Sequence, residues 1–161
     1  DLARELPAES SAPVLLEALQ NTSNPTNRKF IVYLLGHQSN PQYAAQIMDC
    51  LNAEITAGVT PRALGKWGVT NSLDRILPFL QSTNERQRIV AANALHDIQD
   101  DRAAPALVPL LSDPLFTVRY SAQRALSNLS SHAVIPWLDP LLTSTNEAAR
   151  ILAEELLHWK P

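Results

Sequence analysis

The sequence predicts an all-α solenoid of about five stacked helical hairpins forming a single domain over residues 1–161. Three observations carry this. Shifting the C-terminal half against itself by 31 residues superposes Pro78, Pro109 and Pro140, Leu80, Leu111 and Leu142, and Arg88, Arg119 and Arg150. The same shift aligns Ala91, Ala122 and Ala153, then Leu95, Leu126 and Leu157. Apolar residues then recur at helical intervals on either side of a polar turn in each copy. Finally, 45% hydrophobic residues with only 4 Gly and 12 Pro in 161 residues describe a packed chain punctuated by turns, not a disordered or collagen-like one.

Self-similarity with a period in this range is the mark of a stacked repeat, because one helical hairpin cannot bury its own apolar stripe and neighbouring copies must cover it. The hairpins are expected near 9–38, 41–67, 69–99, 102–130 and 133–159. In the fourth, Leu107, Leu110 and Leu111 mark the first helix and Ser112-Asp113-Pro114 the turn. Val118, Ala122, Ala125, Leu126 and Leu129 mark the buried stripe of the second, with Ala where helices approach closely. Ser82-Thr83-Asn84-Glu85 and Ser144-Thr145-Asn146-Glu147 supply cap residues for the flanking copies, and Pro114 suits an early helical position. Toward the N-terminus the period loosens: Tyr33-Leu34-Leu35-Gly36 echoes Arg62-Ala63-Leu64-Gly65. The second hairpin is degenerate, with a back helix shortened between Gly58 and Gly68 and Pro61 in its first turn. Leu2 to Leu6 read as the tail of a preceding helix, and the chain, opening at Asp1 without an initiator Met, reads as a piece of a longer protein.

Pro109 and Leu111 in the first helix, Asp113 in the turn, then Val118-Arg119 and Ala122, Ala125 and Leu126 resemble the HEAT-like repeats, in particular the short phycobilisome-lyase type. The resemblance covers about 69–159. Departures fall at Ser82 and Ser144, where the family carries Asp, and at Gln87 and Ala149, where it carries Val. They bear on the Asp to Arg ladder of those copies and not on the fold. The resemblance implies an α-solenoid used as a binding scaffold, with second helices lining its concave side.

Function classes narrow by charge and by motif. Thirteen Lys and Arg against sixteen Asp and Glu give a net charge of -3, the reverse of a dedicated duplex binder. No apolar run approaches the length of a membrane span. Cys50, the only cysteine, sits among apolar neighbours as a small core residue. Its solitude excludes an intrachain disulfide and leans the compartment toward the cytoplasm without fixing it, while the sequons at Asn21 and Asn128 are too short a signal to decide. His37, His96, His132 and His158 lack the spacing that puts two ligands on one helical face, and no phosphate loop or nucleophile motif occurs. Neither a metal nor a cofactor is called for, and enzyme chemistry has no positive support.

Arg88, Arg119 and Arg150, repeating beside core residues, read as a structural ladder to turn carbonyls or to Asp113. Trp67 shares a column with Ile98 and Leu129 and reads as core; Trp137 is assigned to neither core nor surface. Trp159, with Ile151 and Leu152 nearby, is either a terminal interface anchor or packs on a further element. The second helices carry ten basic against five acidic side chains, leaving three against eleven elsewhere, so the concave face is the more positive. On that face Tyr120, Arg124 and Asn128, flanked by Asn93, His96 and Asp97, combine the aromatic and Arg types that dominate binding hot spots. An ordinary solvated face is the competing reading.

The expectation is a non-catalytic scaffold taking a protein or peptide of acidic character on this strip. Two alternatives stand beside it: a chromophore-handling enzyme or chaperone resembling phycobilin lyases, and a weak nucleic-acid-binding module drawing on the second-helix cations. Partner identity and oligomeric state are open.

Overall fold

The computed structural model describes residues 8–38, 41–48, 50 and 59–159. The expectations placed on residues 2–6, on Gly58 and on Lys160 lie outside the described residues. All the regular structure is helical: α1 (Ala8–Asn21), α2 (Pro25–His37), α3 (Ala44–Met48), α4 (Thr60–Lys66), α5 (Leu73–Ile76), α6 (Glu85–Ile98), α7 (Ala104–Leu107), α8 (Phe116–Ser127), α9 (Ser131–Val134), α10 (Asp139–Leu142) and α11 (Glu147–Trp159).

The first helices are composite, which the expectation of one helix per position did not anticipate. Helix α5 lies between 3-10 turns at Thr70–Ser72 and Leu77–Gln81, and α7 between Asp101–Ala103 and Val108–Ser112. Pro78 and Pro109 explain the break. Each lacks the N-H for an i to i-4 bond and crowds the carbonyl one turn back, so the chain tightens to i to i-3 bonding at its first turn. In the last copy Pro136 does the same at Ile135–Trp137, and Pro140 starts α10.

The second helices are continuous, 12 to 14 residues in α2, α6, α8 and α11, whereas α4 has only seven. Asn24 and Asn84 cap α2 and α6, each accepting a backbone N-H at 2.9 Å. At α8 the cap is Leu115, so Pro114 lies one residue outside the helix, not within its first turn; Asp113 Oδ1 accepts the Leu115 N-H instead, at 3.0 Å. The helices stack in two layers. First helices contact one another along one side, and α2, α4, α6, α8 and α11 follow one another along the other.

Between the layers runs one continuous apolar core. Ala91, Ala122 and Ala153 are fully buried, as are Leu95 and Leu126. Leu142 and Leu157, in the same columns as buried leucines, are half-buried, since the last copy is covered from one side among the described residues. Burial of this kind is worth roughly 25 cal/mol per Å² of apolar surface, so stability is shared along the stack. Trp67 packs in the core beside Ile98.

Four arginines tie α2, α6, α8 and α11 each to its own turn. Nη1 of Arg28, Arg88, Arg119 and Arg150 donates to the carbonyl six residues back, at Thr22, Ser82, Asp113 and Ser144, over 2.7 to 3.3 Å. Arg28 is a rung the sequence columns missed. Its signal was present, since Thr22-Ser23-Asn24 repeats the polar turns at 82–84 and 144–146 with Arg four residues after Asn each time.

Candidate functional site

The face made by α2, α4, α6 and α8 is shaped first by what it lacks. A Cβ on Gly36 would sit 2.8 Å from the Ala63 Cβ, and one on Gly65 would sit 2.7 Å from the Ala94 Cα. Real Cβ atoms do not approach so closely, so glycine lets α4 nest between α2 and α6. Between α6 and α8 the corresponding slot holds His96. Its Nδ1 lies 3.0 Å from the Arg124 carbonyl oxygen and its Nε2 lies 3.3 Å from Nη2 of the same arginine. With a proton on Nδ1 the ring donates to that carbonyl and accepts from the guanidinium at Nε2, a tautomer assigned from the partners.

Two adjoining recesses lie along this face. The larger, about 440 Å³, is walled by Lys29, Phe30 and Tyr33 of α2, Arg62 and Lys66 of α4, and Arg86 of α6. The smaller, about 290 Å³, shares Arg62, Lys66 and Val90 with it and adds Asn93, His96, Asp97 and Arg124. Shared walls make them one groove crossing four helices. Tyr33 stands edge-on to His37, centroids 4.5 Å apart at 67°, which fixes one wall.

Of the strip singled out in the sequence, Asn93, His96, Asp97 and Arg124 come together in the smaller recess. Asn128 joins them from the end of α8, its amide nitrogen 3.4 Å from His96 Nε2 and 3.4 Å from the His96 carbonyl oxygen. Asn93 Oδ1 is buried without a hydrogen-bond partner among the described residues. Tyr120 lines neither recess; half exposed, it stacks on Phe116 with centroids 6.1 Å apart. Trp159 is exposed at the end of α11, and Leu152 is half-buried against the core, both away from the groove. Sequence reasoning missed Lys29, Phe30, Tyr33, Arg62, Lys66 and Arg86 as a site, because the strip was drawn from the best-matched repeats alone.

Electrostatically the second-helix cations form two sets. Arg28, Arg88, Arg119 and Arg150 hold turns. Lys29, Arg62, Lys66, Arg86 and Arg124 point to the groove, where Asp97 is the one carboxylate lining it, and none of the five pairs with a carboxylate among the described residues. Guanidinium and ammonium donors beside aromatic faces can hold carboxylates and apolar side chains. No group of three or more His, Cys, Asp or Glu converges as metal ligands among the described residues.

The decisive match is to the repeat itself: the profile of HEAT repeats fits residues 59–127 and again 73–158. The chain belongs to the HEAT-repeat family. An engineered protein shares the fold with a TM-score of 0.70 at 20% identity, over 92% of this HEAT-repeat chain and 78% of its own. The complex of CpcE and CpcF of phycocyanin lyase from Nostoc sp. PCC7120 also matches with a TM-score of 0.70 at 20% identity, over 92% of this chain and 64% of that one. A second engineered protein matches at 0.63 and 20% identity, over 92% of this chain and 47% of that one. At such identity these likenesses show the fold. No curated protein matches the sequence significantly. Among the described residues no helix is long and apolar enough to cross a membrane.

Proposed function

We propose that this HEAT-repeat chain is a non-catalytic protein-interaction scaffold that takes a partner protein or peptide in the groove along α2, α4, α6 and α8. The observation that carries the reading is the groove itself, continuous across four second helices and walled by five cations without carboxylate partners among the described residues. Solenoids of this family present such faces for recognition, and partners with complementary charge gain both orientation and association rate. The lyase relative is a complex of two proteins, which fits a protein partner here.

Affinity capture from source-cell lysate tests it, comparing wild type with an Arg62→Glu, Arg124→Glu variant that reverses charge in both recesses. A protein retained by wild type and lost with the variant, at equal helical circular dichroism, supports the scaffold. Identical captures overturn it.

Chromophore handling is the second reading, favoured only by the fold shared with phycocyanin lyase. A bilin mixed with the chain would then change its absorbance at micromolar concentration; an unchanged spectrum removes that reading.

A further inference from the structure

We infer that the larger recess, between α2, α4 and α6, is a docking pocket for an acidic linear peptide that buries one large apolar side chain between flanking carboxylates. The inference rests on the scaffold reading and commits it to one recess and one chemistry.

Charge is the first argument. Lys29, Arg62, Lys66 and Arg86 surround the recess from three helices, and among the described residues no Asp or Glu lines it. Shape is the second. Its volume of about 440 Å³ is that of a ligand-sized cleft, and its floor is apolar where Gly36 meets Ala63 and where Val32 and Val90 line it. Phe30 and Tyr33 stand in its wall 58% and 43% exposed, far more than the core around them requires. Aromatic faces beside arginine are the surfaces on which binding energy concentrates, because both shed water readily around a partner side chain.

The combination selects a peptide over a nucleic acid. A phosphodiester chain gains most from cations spread along an extended track. Here the cations encircle one compact recess while the chain as a whole carries -3. An acidic segment matches both parts, with carboxylates on the rim and an apolar residue below.

The test is a selection from a random-peptide phage library on the wild-type chain, followed by fluorescence anisotropy with a labelled peptide from the enriched pool. The expected pool is rich in Asp and Glu around a Phe, Trp or Leu. Lys29→Glu with Arg86→Glu, which line only this recess, should weaken the peptide about tenfold or more. Lys29→Gln with Arg86→Gln removes the two charges without reversing them and should give a smaller loss, of roughly threefold, covering the case in which charge reversal impairs folding. Arg124→Glu, lining only the neighbouring recess, should leave affinity within about threefold. An enriched pool without acidic residues, affinity indifferent to Lys29 and Arg86, displacement by polyuridylate at lower concentration than by unlabelled peptide, or no enriched pool at all would each overturn the inference. The scaffold reading would survive any of these if lysate capture still depends on Arg62 and Arg124.

Discussion

Arg88 and Asp113, 25 positions apart, clasp consecutive repeats through two parallel bonds, Nε to Oδ2 at 2.8 Å and Nη2 to Oδ1 at 3.2 Å. The fork also holds its own turn through the Ser82 carbonyl, so one side chain fixes both the hairpin and the step to the next. Both side chains are largely buried, 13% and 9% exposed.

Removing one partner of such a pair strands the other, so Asp113→Ala should cost about 3 kcal/mol in urea-induced unfolding. Ser144 occupies the same column 31 residues on, and Arg119 there, over the Phe116 ring, donates to backbone carbonyls at Asp113 and Pro114 and meets no carboxylate among the described residues. Ser144→Ala should therefore cost about 0.5 kcal/mol, and Ser144→Asp, which offers Arg119 the missing carboxylate, should stabilise by about 0.5 to 1 kcal/mol. Equal effects of the two alanine substitutions would show that the bridge adds nothing to the stack.

Gly65→Ala forces a methyl group onto the Ala94 backbone and should destabilise by about 2 kcal/mol, since backbone cannot rotate away as a side chain can. Gly36→Ala meets chiefly the Ala63 methyl, so adding Ala63→Gly should return part of the lost stability. Gly68, at φ +62 with open space around it, should lose about 1 kcal/mol on substitution by Ala from backbone strain alone. Thermal melts of the four variants check the order.

Asp101 accepts both the backbone N-H and the hydroxyl of Ser130, and these bonds hold its carboxyl below the ordinary 3.8. Asp100 is lowered likewise, first by the Arg102 guanidinium. A carboxylate with a depressed folded-state pKa stabilises fully above its unfolded value and loses that contribution as pH falls through the folded one. Melting temperature should thus decline below about pH 4, and Asp101→Asn should flatten this acid limb while lowering stability at neutral pH. An acid limb unchanged in the variant would exclude the Asp101 contribution.

Three tryptophans should divide by solvent access. Trp67 is buried at 9% exposure, while Trp137 and Trp159 are 49% and 58% exposed. Iodide should quench most of the emission and leave a blue-shifted remainder that persists in Trp137→Phe with Trp159→Phe. Complete quenching in that double variant would mean Trp67 lies open to water.

The repeat columns made the fold legible from about residue 69 onward, because identical spacing placed Ala91, Ala122 and Ala153 in identical surroundings. Composite first helices were also signalled, by Pro78 and Pro109, but helical periodicity survives a tightened turn and conceals it. The groove was only half legible. Asn93, His96, Asp97 and Arg124 share a recess because their columns face one way, yet the larger recess depends on α2, where Gly36 precedes Gly65 by 29 residues and not by the 31 that joins Ala63 and Leu64 to Ala94 and Leu95. Lys29, Arg62 and Lys66 could be counted as charges on second helices, but their convergence comes from how closely Gly36 and Gly65 let three helices nest.

That nesting separates two properties that most binding surfaces couple. The cations decide what the groove attracts, while Gly65, which lines neither recess, sets how far Arg62 and Lys66 of α4 stand from Arg86 of α6. Selectivity can therefore drift or be engineered from behind the surface. A single methyl group at Gly65 would respace the charges and retune the curvature of the solenoid without altering one contact residue.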